Sequence, residues 1–321
     1  GRGGEPGVTG AALGLDTSNY TTSAAVFDGR DGSNAGRLLD VRPGELGLRQ
    51  SDALFQHTKR LPQMLEQLAE QGLLQNLAAV GASTAPRRVE GSYMPCFLVG
   101  SSQGQSLSAA LGVPFYAFSH QEGHLAAAAW SAGHMELLEQ PFLAWHLSGG
   151  TTELLHVEPE GEAWKCEILG GTSDISAGQL IDRTGVLLGL PFPAGKALDE
   201  LYDPEGGARP FRVKLQELTF SLSGMENQVK AMAQRGEPQG RIAQFTLDTV
   251  TDVVLRATQE AQRRFPGLPV LCSGGVASNR RLRGALQEAC GAWFALPKYS
   301  TDNALGIALL TWRAMERREH P

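Results

Sequence analysis

The stretches that decide the fold are DTSNYTTS at residues 16–23 and HLSGGTTE at residues 146–153. Each holds a serine, Ser18 or Ser148, followed by two adjacent threonines at the same spacing, and the two serines lie 130 positions apart. An apolar run enters each polar turn and a second one leaves it, which predicts strand, tight turn and strand. Such turns present backbone N–H groups and hydroxyls to an anion. The repeat favours a duplicated fold that grips a phosphate between two lobes; the alternative is a pair of ordinary β-hairpins.

The composition is that of a globular protein with more than one core. The chain has 321 residues, of which 42% are hydrophobic and 19% are charged. Chains of this length usually form more than one hydrophobic core. The net charge of −6 argues against broad, non-specific nucleic-acid binding but leaves a local basic patch open. Candidates are Arg87 with Arg88, and Arg280 with Arg281 and Arg283. The alternative is that these are ordinary solvated charges.

The cysteine pattern and the hydropathy indicate a cytoplasmic protein. The four cysteines are scattered without a Cys-x-x-Cys pair, so a disulfide scaffold is not expected and a reducing compartment fits. The sequence has no run of about 18 apolar residues, so no membrane span is expected. Residues 1–10 are polar and glycine-rich, and we interpret them as a disordered leader rather than a signal peptide.

Predicted strands and helices alternate along the chain, which is typical of an α/β layered architecture. We expect an N-terminal lobe over residues 11–140 and a C-terminal lobe over residues 141–300. The last segment, residues 301–321, is expected to form a helix that returns to the N-terminal lobe. An apolar helical stripe over residues 51–74 is interrupted by Pro62, which predicts a kink or two shorter helices.

The motif HQEGH at residues 120–124 places the imidazoles of His120 and His124 one helical turn apart. That spacing suits two ligands of one metal ion; the alternative is a capped helix start with two surface histidines. The Glu does not stand where a HExxH peptidase needs its general base. The alanines at residues 126–129 leave a helical face small enough for another element to bring a ligand close. Asp302, at the start of the last helix, is the candidate third ligand, and helix N-capping is its alternative role.

Two further motifs suit a nucleotide. SGGVASN at residues 273–279 follows an apolar strand and opens a helix, so its glycines let the backbone approach a phosphate or a flat ring at a helix N-terminus. The alternative is a tight strand–helix turn. Asp182 lies on the inner face of a predicted helix, where an acidic group can accept a hydrogen bond from a ribose hydroxyl. Its alternative is a surface ion pair with a residue four positions away.

Taken in order, these motifs resemble the TsaD family, also called Gcp, Kae or Qri and formerly glycoprotease. The family makes threonylcarbamoyladenosine in tRNA and belongs to the actin/hexokinase/Hsp70-like (ASKHA) superfamily. The resemblance extends from about residue 13 to residue 313. It is carried by LGLDTS at 13–18, HQEGH at 120–124, SGGTT at 148–152, the region of Asp182, Gly195 and Asp199, FSLSG at 220–224, SGGVASN at 273–279 and TDNA at 301–304.

The resemblance implies an α/β fold of the two-lobed, actin-like ATPase type, with duplicated ribonuclease-H-like lobes. It implies one divalent metal ion, iron or zinc, held by His120, His124 and Asp302. It implies transfer of a threonylcarbamoyl group from its adenylate to the adenosine beside the tRNA anticodon. An adenine nucleotide, as threonylcarbamoyl-adenylate, AMP or ATP, is then expected at Ser148, Gly149, Gly150, Thr151, Asp182, Gly195, Asp199, Gly274, Gly275 and Asn279.

The first of the two turns departs from the family. Where the family reads Cys-Asp-Glu-Thr, this chain reads NYTT at residues 19–22, so Tyr20 and Thr21 replace both acidic residues. The departure indicates a divergent paralogue. The catalytic residue is left unassigned, with Asp16, Thr17 and Ser18 as candidates. Further departures are Ala85-Pro86-Arg87 in place of a Gly-Pro-Gly loop and Thr151 in place of a His.

Three alternatives stand beside a TsaD-like transferase. One is a paralogue that binds metal and adenine nucleotide without catalysis, or that serves another acceptor. Another is a metallopeptidase, which the position of the motif's Glu disfavours. The last is a small-molecule kinase or ATPase on the same fold, which normally keeps an acidic residue in the first hairpin. The expected partners are tRNA and an accessory or homologous protein subunit, with a dimer as one form of that assembly.

Overall fold

The computed structural model describes residues 10–41 and 48–321. Residues 1–9 of the expected leader at residues 1–10 lie outside this range. The chain divides into two units: the first comprises the chain through Ser131 with Glu160–Trp164 and Asp302–Pro321, and the second comprises Ala132–Pro159 and Lys165–Thr301. Among the described residues, no helix combines the length and the apolar character that crossing a membrane requires.

The first unit is built on a sheet of five strands. They are β1 (Ala11–Thr17), β2 (Thr21–Phe27), β3 (Gly32–Leu38), β4 (Leu77–Ala85) and β5 (Phe115–Ser119), in the order β3-β2-β1-β4-β5. The β1–β2 and β2–β3 pairs are antiparallel, and β1, β4 and β5 run parallel. The helices of this unit are α1 (Gln50–Glu70), α2 (Leu98–Leu111), α3 (His120–Ser131) and α9 (Leu305–Glu319).

Strand β1 is covered on both faces. Leu13 and Leu15 join the buried cluster that contains Leu61 of α1. Gly14 points the other way, and a Cβ there would lie 2.3 Å from the backbone nitrogen of Ala308 in α9. A strand that is buried on both faces has a continuous apolar sequence rather than an alternating one. The apolar start of LGLDT at residues 13–17 therefore predicts a strand.

The prediction of two shorter helices around Pro62 is wrong. This proline lies inside one continuous helix, α1. A proline in a helix interior costs about 3 kcal/mol because it removes one hydrogen bond and crowds the preceding turn. The apolar face of α1, with Leu61, Met64 and Leu68 buried in the core, is large enough to offset that cost.

The second unit holds a sheet of six strands and five helices. The strands are β6 (Phe142–Leu147), β7 (Thr152–Glu160), β8 (Ala163–Thr172), β9 (Thr219–Phe220), β10 (Val270–Ser273) and β11 (Trp293–Phe294), in the order β11-β10-β6-β7-β8-β9. The helices are α4 (Ala177–Leu187), α5 (Gly195–Leu201), α6 (Ser223–Gln234), α7 (Gln239–Arg264) and α8 (Arg280–Cys290).

Five strands of the second sheet repeat the first sheet. The order β8-β7-β6-β10-β11 matches β3-β2-β1-β4-β5. The antiparallel β6–β7 pair and the parallel β6–β10 and β10–β11 pairs match β1–β2, β1–β4 and β4–β5 in direction. The two repeated sequences occupy the equivalent β1–β2 and β6–β7 hairpins. The predicted duplicated α/β fold is therefore confirmed.

Two glycines bring α3 and α9 into close contact. A Cβ on Gly306 would lie 1.6 Å from the carbonyl oxygen of Gly123, and a Cβ on Gly123 would lie 2.7 Å from Cδ1 of Ile307. The alanines at residues 126–129 are fully buried. The close approach predicted from the alanine run therefore occurs. The partner is the last helix, which carries Asp302 to the start of α3.

Candidate active site

His120, the first residue of α3, contacts two carboxylates. Its Nδ1 lies 2.8 Å from Oδ2 of Asp16 in β1, and its Nε2 lies 3.2 Å from Oδ1 of Asp302. Asp16 is only 1% exposed. The His120 imidazole thus connects the end of β1, the start of α3 and the segment that precedes α9 in the first unit.

Glu122 fixes the start of α3. Its Oε1 accepts hydrogen bonds from the backbone N–H and the hydroxyl of Ser119, both at 2.9 Å, and the Ser119 hydroxyl accepts from the Glu122 N–H at 3.1 Å. This reciprocal arrangement is a capping box. The Glu of the HQEGH motif is therefore buried and engaged in holding the helix start, which agrees with the sequence argument against a peptidase base.

Asp302 does not cap α9. The residue preceding that helix is Ala304, and the side chain that accepts from its first N–H groups is Asn303, whose Oδ1 receives the Leu305 N–H at 2.9 Å. The capping alternative for Asp302 is wrong. Its Oδ2 instead lies 3.5 Å from the donating hydroxyls of Ser18 and Thr21.

The carboxylates control the protonation of His120. Burial alone would lower the pKa of His120, but the negative charges of Asp16 and Asp302 and the hydrogen bonds to both raise it by more, so its pKa lies well above the usual value. The raised pKa favours the protonated imidazole. A metal ion at this nitrogen would have to displace a proton.

The donors around His120 fit a divalent cation in part. An imidazole nitrogen and a carboxylate oxygen 3.2 Å apart are ligand types that zinc and iron accept. A carboxylate on the other ring nitrogen, as Asp16 provides, is the usual outer partner of a metal-bound histidine. Asp16 also has a buried oxygen, Oδ1, without a hydrogen-bond partner in the described part of the chain.

His124 does not complete a three-ligand cluster in this structure. It is buried one turn along α3. Within residues 10–41 and 48–321, three such ligand atoms come within 4.8 Å of one another only at Glu316, Glu319 and His320. His120, His124 and Asp302 do not meet that spacing together, although Nε2 of His120 lies 3.2 Å from Oδ1 of Asp302. The metal site of these three residues stays a prediction.

The first turn, residues 18–20, lies among carboxylates and buried side chains. Thr17 is buried and bridges to the start of α2, donating to the Cys96 carbonyl at 2.9 Å and accepting from the Gly100 N–H at 3.1 Å. Tyr20, by contrast, is 64% exposed. With Ser18 facing Asp302, an anion would meet negative charge here. Of the catalytic candidates, Asp16 and Ser18 therefore lie at the His120 cluster, and Thr17 does not.

The second turn, residues 148–151, is open. A Cβ on Gly149 or Gly150 would meet nothing within 4 Å, and both residues are exposed. The turn is closed by Ser148, whose N–H donates to the Thr151 carbonyl at 2.9 Å and whose hydroxyl accepts from the Thr151 N–H at 3.1 Å. Exposed backbone with no side chain in the way is what a phosphate requires.

The N-terminus of α4 supports the second turn. Ser176, the N-cap of that helix, donates its hydroxyl to the Gly149 carbonyl at 2.8 Å and forms a capping box with Gln179. A Cβ on Gly178 would lie 2.4 Å from the Ser148 carbonyl oxygen. The positive end of a helix dipole thus lies against the turn.

The remaining nucleotide candidates lie in the same unit and are linked by short contacts. Asp182 accepts the Ala194 N–H at 2.8 Å, next to Gly195 at the start of α5. Asp199, at the other end of α5, accepts from Nε of Arg280 at 3.1 Å. Both carboxylates therefore already hold protein groups, a use that the sequence pattern did not reveal.

The SGGVASN loop is a tight turn beside the second turn. Gly274 has φ +100°, and a Cβ there would lie 2.1 Å from the carbonyl oxygen of Leu147, so only glycine fits. Gly275 has open space around it. Asn279 is the N-cap of α8 and accepts the Leu282 N–H at 3.0 Å. The loop combines the strand–helix turn of the alternative interpretation with an accessible glycine.

Sequence reasoning missed Asp174. It accepts from the Ser221 hydroxyl and from the backbone N–H of Leu222 at 2.9 Å and of Ser223 at 3.3 Å. Burial raises the pKa of Asp174, but these hydrogen bonds lower it by more, so the net shift is downward. This carboxylate anchors the FSLSG segment to the start of α4. The only sequence signal was an Asp before a helix start.

His57 was also missed. It lies on the buried face of α1, and its ring nitrogens are 2.7 Å from the Thr22 hydroxyl and 2.7 Å from the Ser18 carbonyl. Its place in the apolar stripe, between Leu54 and Leu61 at three- and four-residue steps, is the signal that could have revealed a buried histidine.

The predicted basic patches are largely paired. Arg88 lies 3.4 Å from Glu122 and 3.6 Å from Glu160. Arg280 pairs with Asp199 and Arg281 with Asp248, at 3.1 and 3.0 Å. Three of the five candidate arginines therefore pair with carboxylates in this structure.

Comparison with known proteins shows the family of the chain. A profile of the TsaD family, described as tRNA N6-adenosine threonylcarbamoyltransferase, matches residues 47–309. The chain belongs to this family. Relatives with that same description include a Thermus thermophilus protein, 35% identical over 95% of this chain and 93% of its own length, and a Rhizobium etli protein, 32% identical over 95% and 88%. The TsaD resemblance is confirmed, and the family is one of enzymes.

Solved structures agree on the fold. Full-length HypF superposes with a TM-score of 0.63 at 14% identity, over 97% of this chain and 47% of HypF. Component A of the Acidaminococcus fermentans (R)-2-hydroxyglutaryl-CoA dehydratase gives 0.55 at 18% identity, over 95% of this chain and 99% of its own. A ROK hexokinase from Thermus thermophilus gives 0.50 at 16%, over 96% and 99%. TsaD-family membership and these neighbours confirm the predicted actin-like ATPase fold.

Proposed function

We propose that this chain is a cytoplasmic transferase that moves a threonylcarbamoyl group from threonylcarbamoyl-adenylate to the tRNA adenosine beside the anticodon. The observation that carries the proposal is the relationship to proteins of that description over 95% of the chain. The repeated sheets, the open second turn and the His120 cluster supply the parts that such a reaction needs.

The reaction is an acyl transfer. The adenosine amine nitrogen forms a bond to the carbamoyl carbon, the bond from that carbon to the phosphate oxygen breaks, AMP leaves as an anion and the amine releases a proton. In the second unit, the N–H groups of Gly149 and Gly150 and the N-terminus of α4 would hold the phosphate. A fixed leaving group lowers the barrier mainly through orientation.

In the first unit, the groups that act are His120 and Asp302. With His124 they would hold a divalent iron or zinc ion, which when bound can polarise a carbonyl oxygen or hold a carboxylate. Asp16 orients the His120 ring, and the hydroxyls of Ser18 and Thr21 orient Asp302 by donating to its Oδ2. These contacts keep the two groups in one arrangement before substrate binds.

The changed first turn bears on the acceptor. Thr21, which stands where the family has Glu, is 6% exposed and donates to Asp302. A carboxylate in this position would repel Asp302, whereas the hydroxyl stabilises it. The same observation favours, as a second candidate function, a paralogue that binds metal and nucleotide but serves a different acceptor or none. With the net charge of −6 and the paired arginines, we propose that an accessory or homologous subunit helps to hold tRNA.

The test uses cells. This chain would be expressed, with the accessory proteins of its own source, in bacteria depleted of their TsaD-family enzyme, and nucleosides from digested tRNA would be measured by mass spectrometry. The proposal expects threonylcarbamoyladenosine to return with the wild-type chain and to stay absent with His120→Ala at equal protein level. Absence of the modified nucleoside with the wild-type chain, present and folded, would favour the second candidate.

A further inference from the structure

Helix α1 contacts the first turn through two side chains: Gln50, whose amide donates to Asn19 Oδ1 at 3.1 Å, and His57. His57 is 0% exposed and makes two short polar contacts to the β1–β2 hairpin. One ring nitrogen, Nε2, is 2.7 Å from the carbonyl oxygen of Ser18, and the other, Nδ1, is 2.7 Å from the hydroxyl of Thr22.

The two partners determine the tautomer. A carbonyl oxygen only accepts, so Nε2 must carry the hydrogen; Nδ1 then accepts the hydrogen of the Thr22 hydroxyl. A neutral imidazole satisfies both partners; in a cationic one, Nδ1–H would instead donate to the Thr22 hydroxyl. Burial lowers the pKa of His57, although the Ser18 contact and the charge of Asp16 raise it, and nearby Arg60 lowers it further.

The residues that His57 holds are those that face Asp302. The Ser18 carbonyl accepts a hydrogen bond from Nε2 of His57, and the Ser18 hydroxyl lies 3.5 Å from Oδ2 of Asp302. Thr22 is bonded to His57, and the adjacent Thr21 hydroxyl lies 3.5 Å from the same oxygen. His57 is thus hydrogen-bonded to Ser18 at one end of the first turn and to Thr22 just beyond the other end.

We propose that His57 is a positioning residue of the active site: it fixes the first turn so that the hydroxyls of Ser18 and Thr21 stay directed at Asp302. The side chain touches neither His120 nor a reacting group in this arrangement, and it acts through the turn. The inference rests on the proposed function only for its kinetic consequence, since the fixed turn can be measured without any assay of transfer.

Hydrogen exchange on the full-length chain tests the fixed turn. His57→Phe removes both contacts at similar volume, and Met64→Ala serves as the control, because Met64 is buried on the same helix and lies in the core rather than at the turn. We expect amide exchange in a peptide spanning residues 18–22 to rise roughly tenfold in His57→Phe and to stay within about twofold in Met64→Ala. Equal exchange in wild type and His57→Phe, or an equal rise in both variants, would overturn the proposal.

A milder variant covers the case in which His57→Phe does not fold. Thr22→Val keeps the histidine and removes one hydrogen bond, and it should raise exchange in the same peptide. Long-range ¹H–¹⁵N spectra of the wild-type chain should show one histidine as a neutral Nε2–H tautomer, a signal absent from the spectrum of His57→Phe or perturbed in Thr22→Val. A cationic or Nδ1–H form at pH 7 would contradict the assignment.

Kinetics separate positioning from stability. Below the unfolding transition, His57→Phe should lower kcat for transfer by roughly tenfold with KM for the adenylate within about twofold, and His57→Asn, which can still accept from Thr22, should recover part of the loss. Met64→Ala should leave kcat within about twofold. Equal losses in both variants would reduce His57 to a structural role. A wild-type chain without transfer would defeat the proposed function, and the exchange result would still decide the role of His57 in the turn.

Discussion

At the scale of single residues, the His120 side chain distinguishes the two halves of the molecule. In the first unit, an imidazole lies between the carboxylates of Asp16 and Asp302, so the first turn faces negative charge. In the second unit, the equivalent turn has exposed glycines and no acidic side chain among residues 148–151. The two repeated sequences form equivalent hairpins, and we propose that the first turn holds a cation and the second a phosphate.

Metal content tests the charge of the first site. We expect the purified chain to carry about one iron or zinc ion and His120→Ala to lose it, because the variant removes a nitrogen ligand. His320→Ala is the matched control, since it disrupts the exposed cluster of Glu316, Glu319 and His320 and should keep the ion. Elemental analysis by mass spectrometry measures the metal content per chain. Loss of the ion in His320→Ala but not in His120→Ala would contradict the account, because the ion would then be bound at the Glu316, Glu319 and His320 cluster.

The buried His57 predicts a pH effect on stability. Its pKa is lowered in the folded chain, so the unfolded chain binds more protons below its ordinary pKa near 6.5. The contribution is fully present above that value and is lost as pH falls toward the folded pKa. His120, with its raised pKa, has the opposite dependence, so the two must be separated.

Urea denaturation at several pH values separates them. The difference in free energy of unfolding between wild type and His57→Gln should shrink as pH falls from about 7.5 to about 5, because only the wild type has this group to protonate. The same difference measured for Met64→Ala should not change with pH. A wild-type advantage over His57→Gln that grows on acidification would contradict a neutral His57.

Restoring acidic residues tests the changed first turn. We expect the double variant Tyr20→Asp, Thr21→Glu to raise tRNA modification roughly tenfold if the loss of these acids altered the acceptor. It should also lower stability by about 1 kcal/mol, because Thr21 lies beside Asp302. Tyr20→Phe, Thr21→Val is the neutral control. Unchanged modification in the acidic variant would make the departure incidental.

At the scale of elements, the contact between α3 and α9 brings Asp302 to His120. A Cβ on Gly306 would lie 1.6 Å from the Gly123 carbonyl oxygen. Gly306→Ala should therefore destabilise the chain by about 2 kcal/mol or more, despite the better helix propensity of alanine. Gly284→Ala is the control, because nothing lies within 4 Å of a Cβ there; it should be neutral or stabilising by up to about 1 kcal/mol. Chemical denaturation gives both values, and equal changes would contradict the close packing.

Some of the helices, strands and contacts were predictable from the sequence and others were not. The β1–β2 and β6–β7 hairpins and the close packing at residues 126–129 were predictable, because apolar runs, turn residues and small side chains are local signals. The continuity of α1 through Pro62 was not, because burial of a whole helical face outweighs a local break. The contact between Asp16 and His120 and the contacts of His57 were not predictable either, because they join residues 104 and 35–39 positions apart.

At the scale of the whole molecule, two sheets with one strand order place two chemically different turns at equivalent positions. Family membership over residues 47–309 and the actin-like fold give the chain its reaction class. Because the fold is that of the family, we expect the changed first turn, with Tyr20 and Thr21, to affect the acceptor rather than the fold.

Direct transfer in a purified system tests the central claim. The chain and its accessory proteins would be incubated with unmodified tRNA and threonylcarbamoyl-adenylate, and digested nucleosides would be measured by mass spectrometry with His120→Ala as the control. We predict threonylcarbamoyladenosine at the position beside the anticodon with the wild-type chain and at least about a hundredfold less with His120→Ala. Adenylate consumed or bound without any modified nucleoside, in the presence of those proteins, would contradict the account.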